Sequence, residues 1–164
     1  MSIKYYVENN LRQGEFYMMR EILFRGKRDP RYGMKGVWWY GVPYIDHEGD
    51  CIMVTHCSNT VVIPETVGQF TGLYDTTKWE SLSELEQQEW LKNHTKDEWN
   101  GRRIFEGDIV KFGKYCGYIN YNHSSFCVKH DEINNPAIDL ITIRSELKVI
   151  GNVHDNPELL KNYP

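Results

Sequence analysis

The sequence predicts a mainly β protein with one inserted α-helix, in which a small barrel in the C-terminal half packs with an N-terminal antiparallel β region. Three observations point there. The aromatic share is 13% and rich in Tyr and Trp, residue types favoured on pleated surfaces. Apolar residues come in short runs separated by glycine-containing turns, the pattern of short strands. Only one segment, around residues 81–91, carries helix-capping chemistry followed by helical spacing. The hydrophobic share of 40% and charged share of 26% are ordinary for a globular chain, and 164 residues suffice for one domain or two small lobes sharing a core.

In chain order, residues 1–18 read as an N-terminal extension, with Tyr5, Tyr6, Val7, Leu11, Phe16 and Tyr17 able to pack on the body. Regular β patterning begins near Arg20, where Ile22 and Phe24 are set two apart as a half-buried strand requires. Residues 26–36 form the following loop. Trp38, Trp39, Tyr40, Val42, Tyr44 and Ile45 make an aromatic strand, and His47 to Asp50 has the turn chemistry that joins it to Cys51–Val54 as a hairpin. Val61 to Ile63 is a third run, stopped by Pro64, which has no amide donor to continue a ladder.

After Asp75 the composition changes. Ser81 with Glu84, or Ser83 with Glu86, makes a capping box for a helix running to Leu91. Trp79, Leu82, Leu85 and Trp90 are expected on one face of it, docked on the body over Trp38 or Trp39, with acids and amides opposite. Strands resume with Ile104, followed by five runs: residues 107–112, 118–121, 126–128, 138–143 and 147–153. Short strands at this spacing suggest a small antiparallel barrel. The opening Gly107-Asp108-Ile109-Val110, with a glycine-led aromatic return strand, is the form in which many SH3-like barrels begin. Asp155-Asn156-Pro157 is expected to start a short C-terminal helix.

Four segments carry a family resemblance: Met19 to Arg28 (MREILFRGKR), Val62 to Leu73 (VIPETVGQFTGL), Asn100 to Val110 (NGRRIFEGDIV) and Val149 to Leu160 (VIGNVHDNPELL). In this order they resemble the YopX family of bacteriophage and prophage proteins. The resemblance implies a phage or prophage origin and an SH3-like barrel component, and it implies no catalytic residues. On this reading residues 19–160 form one YopX-like domain. It comprises an N-terminal β region (19–74), a helical insertion (75–98) that a plain family pattern lacks, and a barrel portion with the short C-terminal helix (99–160). Residues 161–164 are a tail.

A formal charge of −4 and a pI near 5.9 argue against a protein that binds nucleic acid mainly by neutralising phosphates. The densest basic patch is Arg20, Arg25, Lys27 and Arg28, joined by Arg31, read as solvated charges protecting a strand edge and turn. No apolar run reaches the roughly 18–20 residues that span a bilayer, so a cytoplasmic location is expected. There the four cysteines would stay as packed thiols.

Zinc is the first chemistry to weigh, because His47, Cys51, His56 and Cys57 fall within eleven residues and Cys116, His123, Cys127 and His130 within fifteen. Neither group has the paired short Cys spacing of structural zinc sites. Glu106, Asp108 and Asp155 offer carboxylates for a divalent cation, against the simpler reading that they occupy turns and a cap. No nucleophile elbow, phosphate-binding loop of the Walker type or dinucleotide fingerprint is present, and the sequence calls for no cofactor. The polar run Pro64 to Gly72 has the composition of a ligand loop, or of a turn in which Thr66 and Gln69 satisfy their own backbone.

The expected function is a non-enzymatic module presenting a surface to a host or phage protein. A small-molecule or nucleotide binder, sequestering a host defence signal, is the alternative, and a weak single-stranded nucleic-acid binder the third reading. Arg25, Lys27, Arg28, Glu65, Thr66, Gln69, Thr71 and Asp108 are the candidate ligand or partner surface. An acidic helix face and exposed barrel edges are compatible with a homo-oligomer.

Overall fold

Alternation of apolar and polar residues along eleven short strands builds two antiparallel sheets. They are seen in a computed structural model that describes residues 21–34, 36–122, 124–129 and 138–162. The extension expected over residues 1–18 lies outside the described residues, as do Arg20, His123 and His130.

The first sheet contains β1 (Phe24–Lys27), β2 (Trp38–Ile45), β3 (Cys51–Val54), β4 (Asn59–Val62), β5 (Gly68–Tyr74) and β6 (Arg103–Phe105), in the order β4-β3-β2-β1-β5-β6. The β2–β3 hairpin is the expected one, and the Asp46 carboxylate accepts the amides of Glu48 and Asp50 to form its turn. The end of β4 returns to the end of β1. Arg28 bridges Val62, Asp29 N–H donates to Val61 at 3.0 Å, and Ile63 N–H donates to Lys27 at 2.8 Å. Strands β1 to β4 therefore close into a ring around Cys51, Met53 and Val62, with Phe24, Trp39 and Val67 packed against them.

The second sheet contains β7 (Asp108–Phe112), β8 (Tyr115–Asn122), β9 (Ser125–Lys129), β10 (Ile138–Asp139) and β11 (Lys148–Asn152), in the order β10-β9-β8-β7-β11. Its core is Val110, Phe112, Ile119, Val128, Leu140 and Leu147, joined by Ile104 from β6. Successive residues of a strand face opposite sides. Ile104 thus enters this core, while Phe105 stacks on Phe70 and Tyr40 of the first sheet. The strand β6 ties the two cores together.

Several elements differ from expectation, β1 among them, which starts at Phe24 and runs through Lys27 into the expected loop. The run 138–143 is strand only at its first two residues. Asp139 then caps a single helical turn, α2 (Leu140–Ile143), by accepting the Ile141 amide, and this turn plugs Leu140 into the core. The helix α1 is Glu84–Leu91, and the Ser83–Glu86 box caps it. It is not the docked amphipathic helix expected. Leu82 precedes the cap in extended backbone, and Leu85 and Trp90, five residues apart, point about 140° away from each other. Leu85 is 78% exposed, and Trp90 packs on His94 and Trp99. Pro157–Asn162 forms a short 3-10 helix where the C-terminal helix is expected.

The segment between β5 and β6 is anchored by Asp75, which is buried. Its carboxylate accepts the amides of Thr77, Arg102 and Val149 and the Thr77 hydroxyl, joining the start of that segment, the approach to β6 and β11.

Candidate functional site

The basic patch of β1 is divided by strand geometry. Arg25 and Lys27 face one side, and Gly26 and Arg28 the other. The strand lies between β2 and β5, so the expectation of solvated edge charges is corrected: β1 is internal to the sheet, and Arg25 and Lys27 are largely covered.

Arg25 pairs with Asp108 at the entry of β7, and its guanidinium lies 4.6 Å from the ring centroids of both Trp38 and Phe105. Asp108 is 2% exposed and also accepts the Phe105 amide at 2.8 Å and the Asn152 side-chain amide at 3.4 Å. Burial pushes the Asp108 carboxyl above the usual carboxylate range, outweighing the Arg25 charge and these hydrogen bonds. Beside it Lys27 pairs with Asp155, which also accepts the Trp38 indole N–H at 2.9 Å. Burial opposes the Asp155 charge, but its bonds from Lys27 and Trp38 prevail and hold its pKa below the ordinary value. Burial and the Lys27 charge depress His154. Trp38 is therefore covered by Arg25, Lys27 and Asp155, and Trp39 packs in the first core beneath Arg28; neither lies under helix α1.

This seam joins the two sheets through pairs 83 and 128 residues apart in sequence. Its charges are consumed internally. Asp108 and Asp155 face cations of the protein rather than an open cation site, and among the described residues no group of three His, Cys, Asp or Glu is placed to hold a metal ion.

The run Pro64 to Gly72 is a 3-10 turn at Pro64–Thr66 followed by strand β5, not a loop. Thr66 accepts the Lys27 amide and donates to Ile63, and Thr71 donates to the Ile104 carbonyl and accepts the Leu73 amide. Both hydroxyls act on the protein's own backbone. Gln69 contributes its main chain to β1 and to Glu106, while Glu65 stands near enough to His154 to oppose its pKa depression. The candidate surface is thus partly one constellation, Arg25 with Asp108 and Lys27 with Thr66, and partly dispersed.

Of the cysteines, Cys51, Cys116 and Cys127 are buried and Cys57 is exposed. Burial raises the pKa of each of the three buried thiols, which favours the packed, protonated form.

What residue-by-residue reading missed is the outer face of the β2–β3 hairpin. Tyr40, Val42, Tyr44 and Val54 are each at least 40% exposed on it, with Val42 opposite Val54 and Tyr44 opposite Ile52. The alternation Tyr40, Val42, Tyr44 carries the signal: both faces of this strand are apolar, whereas a strand covering a single core alternates with polar residues. The row continues from Ile52 to Val61 and ends in a shallow recess of about 330 Å³ lined also by Arg28, Tyr32, Asn59 and Thr60. A second open groove, of about 420 Å³, lies beside Trp79 and Trp99 between β5 and β6, with Lys96 paired to Glu80 at its rim.

These features define a mainly β protein of two linked antiparallel sheets, with a saturated polar seam inside and an apolar strand face outside. Residues 81–161 match the model of the YopX protein family, and this stretch carries the family resemblance. It takes in the third and fourth of the motif segments, and the first two precede it; it also takes in residues 81–98, so most of the segment expected as an insertion lies within the family match. No curated protein matches the chain.

Proposed function

We propose that this is a non-enzymatic accessory protein of phage or prophage origin, acting in the host cytoplasm by presenting the β2–β3 face to a host or phage protein. The exposed, contiguous row of Tyr40, Val42, Tyr44 and Val54 is the observation that carries this reading. Soluble proteins seldom leave such a patch uncovered without a partner, and Tyr is among the residue types enriched at interfaces and their hot spots. The C-terminal sheet supports an SH3-like barrel as its rigid companion. Its order β10-β9-β8-β7-β11, with one helical turn before the last strand, is that of a meander closed by a returning strand. The internal pairing of Arg25, Lys27, Thr66, Thr71 and Asp108 counts against a small-molecule site built from them.

The test compares affinity capture from infected cells by the wild type, by Val42→Glu/Tyr44→Glu and by Leu85→Glu, which alters exposed apolar surface elsewhere. A partner held by wild type and Leu85→Glu and lost with the double variant is the expected result. Equal recovery with all three would remove the β2–β3 face from the function.

A further inference from the structure

Arg28 stands apart from the other arginines near it. Arg25, Arg31, Arg102 and Arg103 each pair with a carboxylate, and Arg144 is exposed to water. Arg28 is half-buried, and among the described residues its guanidinium has no ion-pair or hydrogen-bond partner. Its Nε is enclosed without an acceptor, as are those of Arg25 and Arg103, but Arg28 alone of the three has no carboxylate at its terminal nitrogens among the described residues. The group also packs on its neighbours. Its Cζ lies 5.8 Å from the Trp39 ring centroid, and a Cβ at Gly33 would come within 2.6 Å of one terminal nitrogen, so a larger residue there would push the guanidinium aside.

Resting on the interaction reading above, we propose that Arg28 receives a carboxylate from an acidic side chain of the protein segment that covers the β2–β3 face. The position fits: the Tyr44, Ile52, Val61 row leads into the recess that Arg28 lines, so a segment laying apolar side chains on the row carries an adjacent acid to the guanidinium. The charge fits as well. Arg31 is taken by Asp29 and Asp50, which leaves Arg28 as the one unpaired cation of the recess among the described residues, the match for a singly charged carboxylate rather than a phosphate dianion. A planar fork already packed on its neighbours binds a carboxylate with little further ordering.

The experiment is an NMR titration of the full-length 15N-labelled protein with three capped tripeptides: leucine–glutamate–leucine, its glutamine counterpart and its phosphoserine counterpart. The glutamate peptide is expected to shift the Arg28 Nε–H and the Tyr44, Ile52 and Thr60 amides, binding about tenfold more tightly than the glutamine peptide, as one charge-assisted hydrogen-bonded pair implies. Arg28→Gln should abolish that difference. Gly33→Ala, which keeps the charge but displaces the guanidinium, should do the same. If glutamate and glutamine peptides bind the row equally, the carboxylate site is overturned while the interaction face stands. Tighter binding by the phosphoserine peptide overturns the single-charge assignment. Absence of shifts at Arg28 with any peptide overturns the site.

Discussion

Removing the Asp108 carboxylate should be among the most damaging single changes to this protein, although its ion pair with Arg25 contributes little net stability. Asp108→Ala leaves the Arg25 guanidinium enclosed between Trp38 and Phe105 without a counter-charge, and it strips an acceptor from the Phe105 amide and from Asn152. Breaking one side of a buried pair costs about 3–5 kcal/mol. At about 2–4 °C per kcal/mol for a chain of this size, the midpoint should fall by about 6–20 °C. Burial already raises the Asp108 pKa despite Arg25, so the charged pair is being held against its desolvation penalty. The double variant Arg25→Met/Asp108→Leu should therefore regain most of the loss. Urea unfolding followed by tryptophan fluorescence on the wild type, both single variants and the double gives the coupling directly. A cost below about 1 kcal/mol for Asp108→Ala, or a double variant equal to the sum of the singles, would refute the reasoning.

Three other outcomes follow from named geometry. Gly101 has φ 109° and a Cβ there would stand 3.0 Å from the Asp75 carbonyl carbon, so Gly101→Ala should cost about 1–3 kcal/mol in urea unfolding. The bonds to Ser83, aided by Arg102, lower the Glu86 pKa to about 2. Ser83→Ala should raise it toward 4.5 by carboxyl NMR titration and weaken the helix by about 1 kcal/mol, read as faster amide exchange, with global unfolding barely moved because the helix buries no residue. Because His154 is depressed below 6.5 by burial and Lys27, its contribution to stability is present above pH 6.5 and declines as the pH falls through the folded value. Asp155→Asn should depress it further in a histidine NMR titration; an upward shift would contradict the seam's electrostatics.

Local chemistry made much of the fold legible. The Asp46–Asp50 turn, the Ser83–Glu86 box and the strand runs are set by neighbours in sequence, and the structure places them accordingly. The failures are instructive for the same reason. Trp79, Leu82, Leu85 and Trp90 share a face only in a helix that runs from Trp79 onward; the cap at Ser83 starts it later, and the remaining apolar residues do not share one. The sixfold run 138–143 looked like strand by its β-branched residues, yet Asp139 diverted it by capping a helical turn.

The candidate site was less legible because its chemistry depends on contacts that no local pattern encodes. Arg25, Lys27 and Arg28 form one basic patch in sequence, and its meaning turns on whether β1 is an edge or an interior strand. Pairing with β2 alone would have left the patch solvated; β5, beginning more than forty residues later, turns it inward. Once β1 is internal, the pleat decides the rest. Arg25 and Lys27 meet Asp108 of β7 and Asp155 in the turn after β11 and become part of the joint between the sheets, while Arg28, one residue on, faces away from those acids and, among the described residues, keeps its charge unspent. The same topology separates the two apolar faces of β2, burying Trp39 inside the ring and leaving Tyr40, Val42 and Tyr44 outside. The unpaired cation and the uncovered face thus arise from a single fact, the closure of β1 to β4 into a ring, and they adjoin at the place where β4 returns to β1.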